Sequence, residues 1–458
     1  MSALAPKLAA ARAVGALARR AGRGGGTSLP GKVLIRLEPH AISELAARLP
    51  RGSVVLSATN GKTTTAAMAA SILERAGIAL VHNRAGANMA GGVASTLLNA
   101  SRRRGAIAGE MGLFEVDEFW LDQLCAELDP RVLLLGNLFR DQLDRYGELD
   151  TIADRWADVV AALTGGTLVL CADDPLIADL GRERDDVAYF GVEDPTVALA
   201  EMQHASDSKH CRRCGHAYTY DVVYLGHLGR YHCPNCGRTR PEATIAATAI
   251  RLHGTSGSEF VLNTPAGSTT VRLPLPGLYN VYNALGAAAL CLELGVALDD
   301  VARGLEVVAA AFGRAETILV GDCELSILLI KNPAGANEIL RTLALEDGEL
   351  DLLAILNDNT ADGRDVSWVW DADFELLAGR VRRVTCAGTR AAELAVRLKY
   401  AGVPVDRLHV VTALPEALDE ALSTAAGTRL FALPTYTALL ELRGELSERG
   451  HTTEFWAG

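Results

Sequence analysis

One stretch limits what this chain can fold into more than any other: Val54-Val55-Leu56-Ser57-Ala58-Thr59-Asn60-Gly61-Lys62-Thr63-Thr64-Thr65. A β-branched apolar run ends in a turn of small residues, and Ala66 to Ala76 follows with helical composition. Strand, turn and helix with Gly-Lys-Thr at the junction is the layout of a phosphate-binding loop. Backbone N–H groups at the helix start can face an anion, Lys62 can neutralise phosphate oxygens, and the Thr63 hydroxyl can ligate Mg²⁺. Thr59, Asn60, Gly61, Lys62, Thr63 and Thr64 are therefore the candidate nucleotide-binding residues. Leu56 stands where the general pattern has its first glycine. A bare Gly-Lys-Thr after a strand is usually an ordinary turn, but the strand and the Thr-Asn ahead of the glycine shift the reading toward a nucleotide.

Composition narrows the class. At 458 residues the chain exceeds one compact core, and two or three domains are expected. An apolar content of 49% excludes a disordered chain, and a net charge of −12 argues against general nucleic-acid binding. No run approaches the ~20 apolar residues of a membrane helix. Lys7, Arg12, Arg19, Arg20 and Arg23 precede the first acidic residue, Glu38, on an Ala/Leu-rich segment. That segment reads as a surface helix; a helix lying on an anionic membrane face is the alternative. It lacks the continuous apolar core of a secretory signal, so the expected compartment is the cytoplasm.

Lys32 to Arg36 reads as a strand and Glu38 to Leu49 as a short helix. Beyond the phosphate loop, Ala106 to Glu115, Val132 to Leu135 and Thr167 to Leu170 read as strands alternating with helices, each followed by polar residues. That pattern describes an α/β fold with an open parallel sheet and a site at its carboxyl edge. Glu115, at the end of its strand in Glu115-Val116-Asp117-Glu118, is placed to hold a nucleotide's Mg²⁺.

Cys211-Arg212-Arg213-Cys214 and Cys233-Pro234-Asn235-Cys236 are separated by eighteen residues. Each Cys-x-x-Cys-Gly turn aims two thiolates at one point, so Cys211, Cys214, Cys233 and Cys236 are expected to form a closed, structural Zn²⁺ site in a ribbon spanning 205–240. A redox pair is the alternative. His210, His216 and His232 read as flanking solvated residues, and Tyr218, Tyr220, Tyr224 and Tyr231 as cover for the metal. Cys125, Cys171, Cys291, Cys323 and Cys386 read as core thiols.

Taken together, Ala58-Thr59-Asn60-Gly61-Lys62-Thr63-Thr64, Glu115 to Glu118, Asn137 to Asp144, Ala172-Asp173-Asp174-Pro175, Gly277-Leu278-Tyr279-Asn280-Val281-Tyr282-Asn283-Ala284 and Gly313-Arg314-Ala315-Glu316 resemble, in order, the motifs of the Mur ligases. The resemblance implies an ATP-binding central domain over 1–316, with Asn280 and Arg314 in the nucleotide region. It also implies amide formation through an acyl phosphate, with ATP and Mg²⁺ required. The departures are Ala58 for a glycine, Gln142 and Tyr279 for histidines, and Cys171 for an asparagine. No lysine stands between Lys62 and Lys209, where many members carry a carbamylated lysine for a second Mg²⁺. The early position of the phosphate loop leaves no room for the family's usual N-terminal substrate domain.

From about Gly313 a second, smaller α/β unit is expected over 317–458, of Rossmann-like form, with strands at Ile327 to Ile330, Leu352 to Leu356, Arg382 to Cys386 and Leu408 to Val411. Leu433 to Thr437 is read as closing its sheet. Lys331-Asn332-Pro333-Ala334-Gly335-Ala336-Asn337, Asp358 to Trp368 and Pro434-Thr435-Tyr436-Thr437-Ala438, with the paired cysteines, resemble the MurT family, the synthetase subunits of lipid II isoglutaminyl synthase. The resemblance implies amidation of the D-glutamate α-carboxyl of lipid II at the inner face of the membrane. The ammonia would come from a GatD-like glutaminase partner docked on the C-terminal unit. It further implies that an aspartate of this chain completes the partner's catalytic triad, Asp365 first and Asp362 second. Trp368 and Trp370 beside that loop suggest a partner contact. An amino-acid-adding ligase, a folylpolyglutamate synthase relative or a non-catalytic nucleotide-binding subunit remain the competing readings.

Overall fold

In the computed structural model, residues 4–20, 28–83, 87–102, 106–141, 149–203, 206–308, 314–425 and 429–452 are described. In chain order the strands are β1 (Ser53–Ser57), β2 (Leu80–His82), β3 (Met111–Glu115), β4 (Val132–Leu135), β5 (Thr167–Cys171) and β6 (Val187–Val192). Next come β7 (Thr219–Leu225), β8 (Leu228–His232), β9 (Ile245–Leu252), β10 (Ser258–Thr264) and β11 (Gly267–Leu273). The second half adds β12 (Arg314–Val320), β13 (Cys323–Leu328), β14 (Leu350–Ile355), β15 (Val381–Ala387), β16 (Leu408–Val410) and β17 (Arg429–Pro434).

Two sheets carry the architecture. The first has nine strands in the order β11-β10-β9-β6-β5-β4-β1-β3-β2 and the second six in the order β12-β13-β17-β14-β15-β16. β1 through β6 are parallel, and β9 to β11 extend that sheet as an antiparallel meander. All five residues of β1 and of β3 are buried, the continuous apolar signature of strands covered on both faces. β1 lies between β3 and β4, so successive strands run off to either side of it. This is a topological switch point, where an open α/β sheet leaves a crevice at its carboxyl edge.

Three expectations change. Lys32 to Arg36 is not a strand: it lies inside a helix, Leu29–Leu37, with Pro30 in its first turn. The β-branched run suggested extended backbone, but the segment is set on the helix Ala90–Ala100, where a Cβ at Gly31 would come within 1.9 Å of the Gly91 carbonyl oxygen. Tertiary packing overrides local propensity here. The strand expected from Ala106 begins only at Met111. The last strand, β17, does not close an edge but enters between β13 and β14, parallel to both.

The N-terminal helix, Leu4–Arg20, spends an apolar face on the body of the protein. Leu4, Leu8 and Ala11 are buried, Lys7 pairs with Glu38 at 2.6 Å, and Arg12 donates to the Leu98 and Ser101 carbonyls. Among the described residues no helix is long and apolar enough to cross a membrane.

Candidate active site

β1 delivers the phosphate loop to the carboxyl edge, and Gly61 makes its turn with φ +86°, a conformation that costs an L side chain steric energy. A Cβ at Gly61 would come within 2.0 Å of the Asn283 Oδ1, so a hydrogen is the only substituent this position accepts. The loop is tied to the neighbouring strand ends. Asn137, after β4, accepts from the Asn60 amide at 2.9 Å and donates to its carbonyl at 3.0 Å, and the Thr59 hydroxyl accepts from the Phe139 N–H at 3.1 Å.

Lys62 opens the helix Lys62–Arg75 and is almost wholly buried. Its ammonium donates to Glu118 at 2.9 Å and to the carbonyls of Ala58 and Thr59. Burial alone would lower its pKa, but Glu118, aided by Glu115 and Asp117, more than reverses this and raises it. Lys62 therefore stays charged. Glu115 at the end of β3 lies 3.0 Å from the Thr63 hydroxyl, and Asn83 fixes its backbone through two hydrogen bonds. Two oxygens that close on the wall of a cavity suit a shared hard cation, so Thr63 and Glu115 fit Mg²⁺.

These residues line a cavity of about 360 Å³ with walls from both sheets, a size that suits a small-molecule ligand. The central sheet supplies Thr59 to Thr64, Glu115, Asp117, Glu118, Asn137, Asp141 and Asn280. The C-terminal unit supplies Lys331, Gly335, Glu338, Ala361 and Tyr436, from the loops and helix starts that follow β13, β14 and β17. Those three strands are neighbours, which is why segments far apart in sequence meet here. Asn332 caps the helix Pro333–Ala344 through Gly335 N–H and donates to Asn60 Oδ1 at 2.9 Å, while Lys331 pairs with Asp141 at 2.6 Å.

Most of the expected site residues thus converge. Asn280 lines the cavity, with its amide donating to the Pro276 carbonyl and accepting from Asn283. Arg314 opens β12, but its side chain lies outside the described residues, as do Gly313 and Gln142 to Asp144. Sequence reasoning missed the Lys62 partner Glu118 as an individual residue, and it missed the pairing of Lys331 with Asp141. It also gave no site role to Asn83. The acidic Asp-Asp of residues 173–174 serves the framework: Asp174 caps the helix Pro175–Leu180 and holds Leu138 N–H, and Asp173 binds Tyr282, Val192 N–H and Arg240.

The two candidate triad aspartates differ sharply. Asp362 is buried and accepts from the Thr437 N–H at 2.7 Å and from the Thr437 hydroxyl, capping the helix Tyr436–Glu448 from another loop. Asp365 is exposed and accepts from the Ser367 N–H at 2.8 Å; hydrogen bonds from the Ser367 side chain and backbone hold its carboxyl below the usual range. Nearby, Trp370 is half-exposed with its ring 5.9 Å from that of Tyr400.

Cys211, Cys214, Cys233 and Cys236 gather with their sulfurs within 4.8 Å of one another. The Cys211–Cys236 and Cys214–Cys233 distances are 3.6 and 3.5 Å, close to the roughly 3.8 Å edge of a tetrahedron with Zn–S bonds of about 2.3 Å. Gly215 and Gly237, both at φ +72°, turn the two knuckles. Hydrogen bonds from Asn235 and the His216 backbone bring the Cys214 thiol down to about 6, while Cys236 is pushed up to about 11. Four thiols this close cannot all ionise without a cation among them, and the donor set fits Zn²⁺. Tyr218 and Tyr231 cover the cluster edge to face at 5.0 Å, as expected, whereas Tyr224 joins the main core. Cys125, Cys171, Cys291 and Cys386 are buried, and Cys323 is half-buried.

Fold and site together define a ligase of the Mur type. The model of the Mur ligase middle domain matches residues 57–237, and the MurT ligase C-terminal model matches 329–439. The MurF ligase of Thermotoga maritima, solved in complex with ADP, superposes with a TM-score of 0.62 at 14% identity, covering 90% of this chain and 84% of that one. Closer in sequence is the lipid II isoglutaminyl synthase (glutamine-hydrolyzing) subunit MurT of Streptococcus pneumoniae R6, 32% identical with 93% of each chain covered. Its counterpart in Staphylococcus aureus N315 is 33% identical over 94% of this chain and 96% of that protein. The chain belongs to the MurT family.

Proposed function

We propose that this chain is the synthetase subunit of a lipid II isoglutaminyl synthase. It would activate the α-carboxyl of the stem-peptide D-glutamate and join it to ammonia, giving D-isoglutamine. The carboxylate oxygen attacks the γ-phosphorus of ATP and ADP leaves; ammonia then attacks the acyl carbon, phosphate leaves, and the nitrogen loses a proton. The observation that carries this reading is the end-to-end likeness to MurT subunits, joined to a cavity with Lys62, Thr63 and Glu115 on one wall.

Lys62 binds and neutralises phosphate oxygens, and the N–H groups of Gly61 to Thr64 orient them. Thr63 and Glu115 would hold Mg²⁺, which when bound spreads charge off the transferring phosphoryl. Asn280 and Arg314 belong to the nucleotide region in this reading; the units 1–316 and 317–458 share the cavity, and the second would also dock the partner. Cys211, Cys214, Cys233 and Cys236 would hold one structural Zn²⁺ within the 205–240 ribbon.

Free ammonia is scarce at neutral pH, so a GatD-like glutaminase would supply it in the cytoplasm at the inner membrane face. Asp365, exposed and ionised, is the residue suited to orient a partner's catalytic histidine, with the half-exposed Trp370 a few residues along the chain to anchor the contact. Asp362 is already spent on Thr437. The test is ATP-dependent amidation of lipid II by the purified chain with an ammonium salt as nitrogen donor. Amidated product that disappears in Lys62→Ala is expected. No product at any ammonium concentration would favour a non-catalytic nucleotide-binding subunit.

A further inference from the structure

Among the described residues lining the cavity, Lys62 is the one lysine of the central unit. From residue 63 to residue 208 there is no other, and Lys62 is already paired with Glu118. The cavity wall, by contrast, carries Glu115, Asp117, Glu118, Asp141 and Glu338. Nucleoside triphosphate brings further negative charge to that wall. Among the described residues lining the cavity the cations are Lys62 and Lys331.

Lys331 arrives from the opposite unit, at the end of the chain segment that follows β13. Its Nζ lies 2.6 Å from Asp141 Oδ2 and 3.4 Å from the Thr59 carbonyl oxygen. The Lys62 Nζ also lies 3.4 Å from that same oxygen. Two atoms each 3.4 Å from a third are at most twice that distance, 6.8 Å, apart. Ammonium groups no farther apart than this can both hydrogen-bond the oxygens of one phosphoryl group, by charge-assisted contacts of about 2.8 Å. The lysine of a phosphate loop reaches the β- and γ-phosphates, and Lys331, coming from the opposite unit, meets that loop at Thr59.

We propose that Lys331 is a second phosphate-binding cation that reaches across the domain boundary to the γ-phosphoryl group, with Asp141 holding it in position. Transfer to the substrate carboxylate then depends on both units, because each contributes one of the two cations that flank the moving group. The inference rests on the nucleotide reading above, and the test separates the two.

The full chain carrying Lys331→Met is compared with wild type for binding of ADP and of a non-hydrolysable ATP analogue by calorimetry. ADP affinity should stay within about twofold, which also shows that the variant is folded. Affinity for the analogue should fall about 10- to 100-fold, the loss expected for one charge-assisted hydrogen bond. Lys331→Arg should recover most of it. Equal weakening of both nucleotides would make Lys331 a domain clamp and overturn the assignment, as would unchanged binding of the analogue. Wild-type protein that binds neither nucleotide would sink the nucleotide reading and this inference with it. Loss of both nucleotides in Lys62→Ala alone keeps the two conclusions distinct.

Discussion

Gly61→Ala is the substitution whose cost can be worked most directly. The residue sits at φ +86°, where a Cβ costs about 1–2 kcal/mol. The new methyl would also come within 2.0 Å of the Asn283 Oδ1. That amide cannot simply swing away: Asn283 is buried, accepts from the Thr65 hydroxyl at 3.3 Å and donates to Asn280 at 3.0 Å. Overpacking of this kind costs roughly 1–3 kcal/mol, so the expected total is about 2–5 kcal/mol. Urea slopes of about 2–3 kcal/mol per molar, the upper part of the usual range for a chain of this size, turn that into a midpoint shift of roughly 1–2 M for the transition that includes the central sheet. Nucleotide binding should fall with it, because the helix N-terminus that presents the loop N–H groups is displaced. Asn283→Ala added to Gly61→Ala removes the collision but keeps the backbone cost, so the double variant should regain about 1–2 kcal/mol relative to simple additivity. A single variant with an unchanged midpoint, or a strictly additive double variant, would refute the steric argument.

Other expectations follow from the same geometry. Asp365→Asn should abolish glutamine-dependent amidation by the assembled enzyme while ammonium-dependent amidation persists; loss of both would place Asp365 elsewhere in the mechanism. Asp362→Ala should instead act on stability, costing about 0.5–2 kcal/mol as a lost helix cap, read as a lower melting temperature of the C-terminal unit. Metal analysis should find one zinc per chain, and Cys214→Ser should lower that content and increase proteolysis between residues 205 and 240. Glu346 joins the two units, accepting from Thr255 of the central unit and Arg429 of β17. Burial there opposes ionisation, but the Thr255 and Arg429 contacts outweigh it and lower the carboxyl's pKa. Its contribution is therefore present above the unfolded value of about 4.3 and is lost as pH falls through the folded one. Glu346→Gln should flatten the acid limb of a stability–pH curve, and an unchanged limb would show that other carboxylates set it.

What the sequence made legible was local chemistry. A β-branched run before Gly61-Lys62 announces both β1 and its loop, Glu115 marks a strand end, and two Cys-x-x-Cys-Gly turns draw their four sulfurs together because the knuckle geometry is built into the motif. The misread segment at Lys32 to Arg36 shows the limit of such local signals. Its apolar residues serve a helix pressed on Gly91, and nothing within nine residues encodes that neighbour. The pairing of Lys331 with Asp141 spans 190 residues, and it depends on the order in which two sheets stack their strands. Asp362 and Asp365 look alike in sequence; the Thr437 helix end, supplied from the other side of β17, separates a buried cap from an exposed carboxylate.

The place of β17 has a consequence for how the protein is made. Among the described residues it is the last strand, yet β13 and β14 have no contact in the sheet except through it. Until residues 429–434 leave the ribosome, the second sheet is two fragments with open inner edges, a state prone to pairing with other chains. Nascent chains should therefore hold a finished nucleotide unit beside an unfinished C-terminal one. Stalling or truncation upstream of Arg429 would release a molecule able to take up nucleotide yet unable to complete the cavity's second wall.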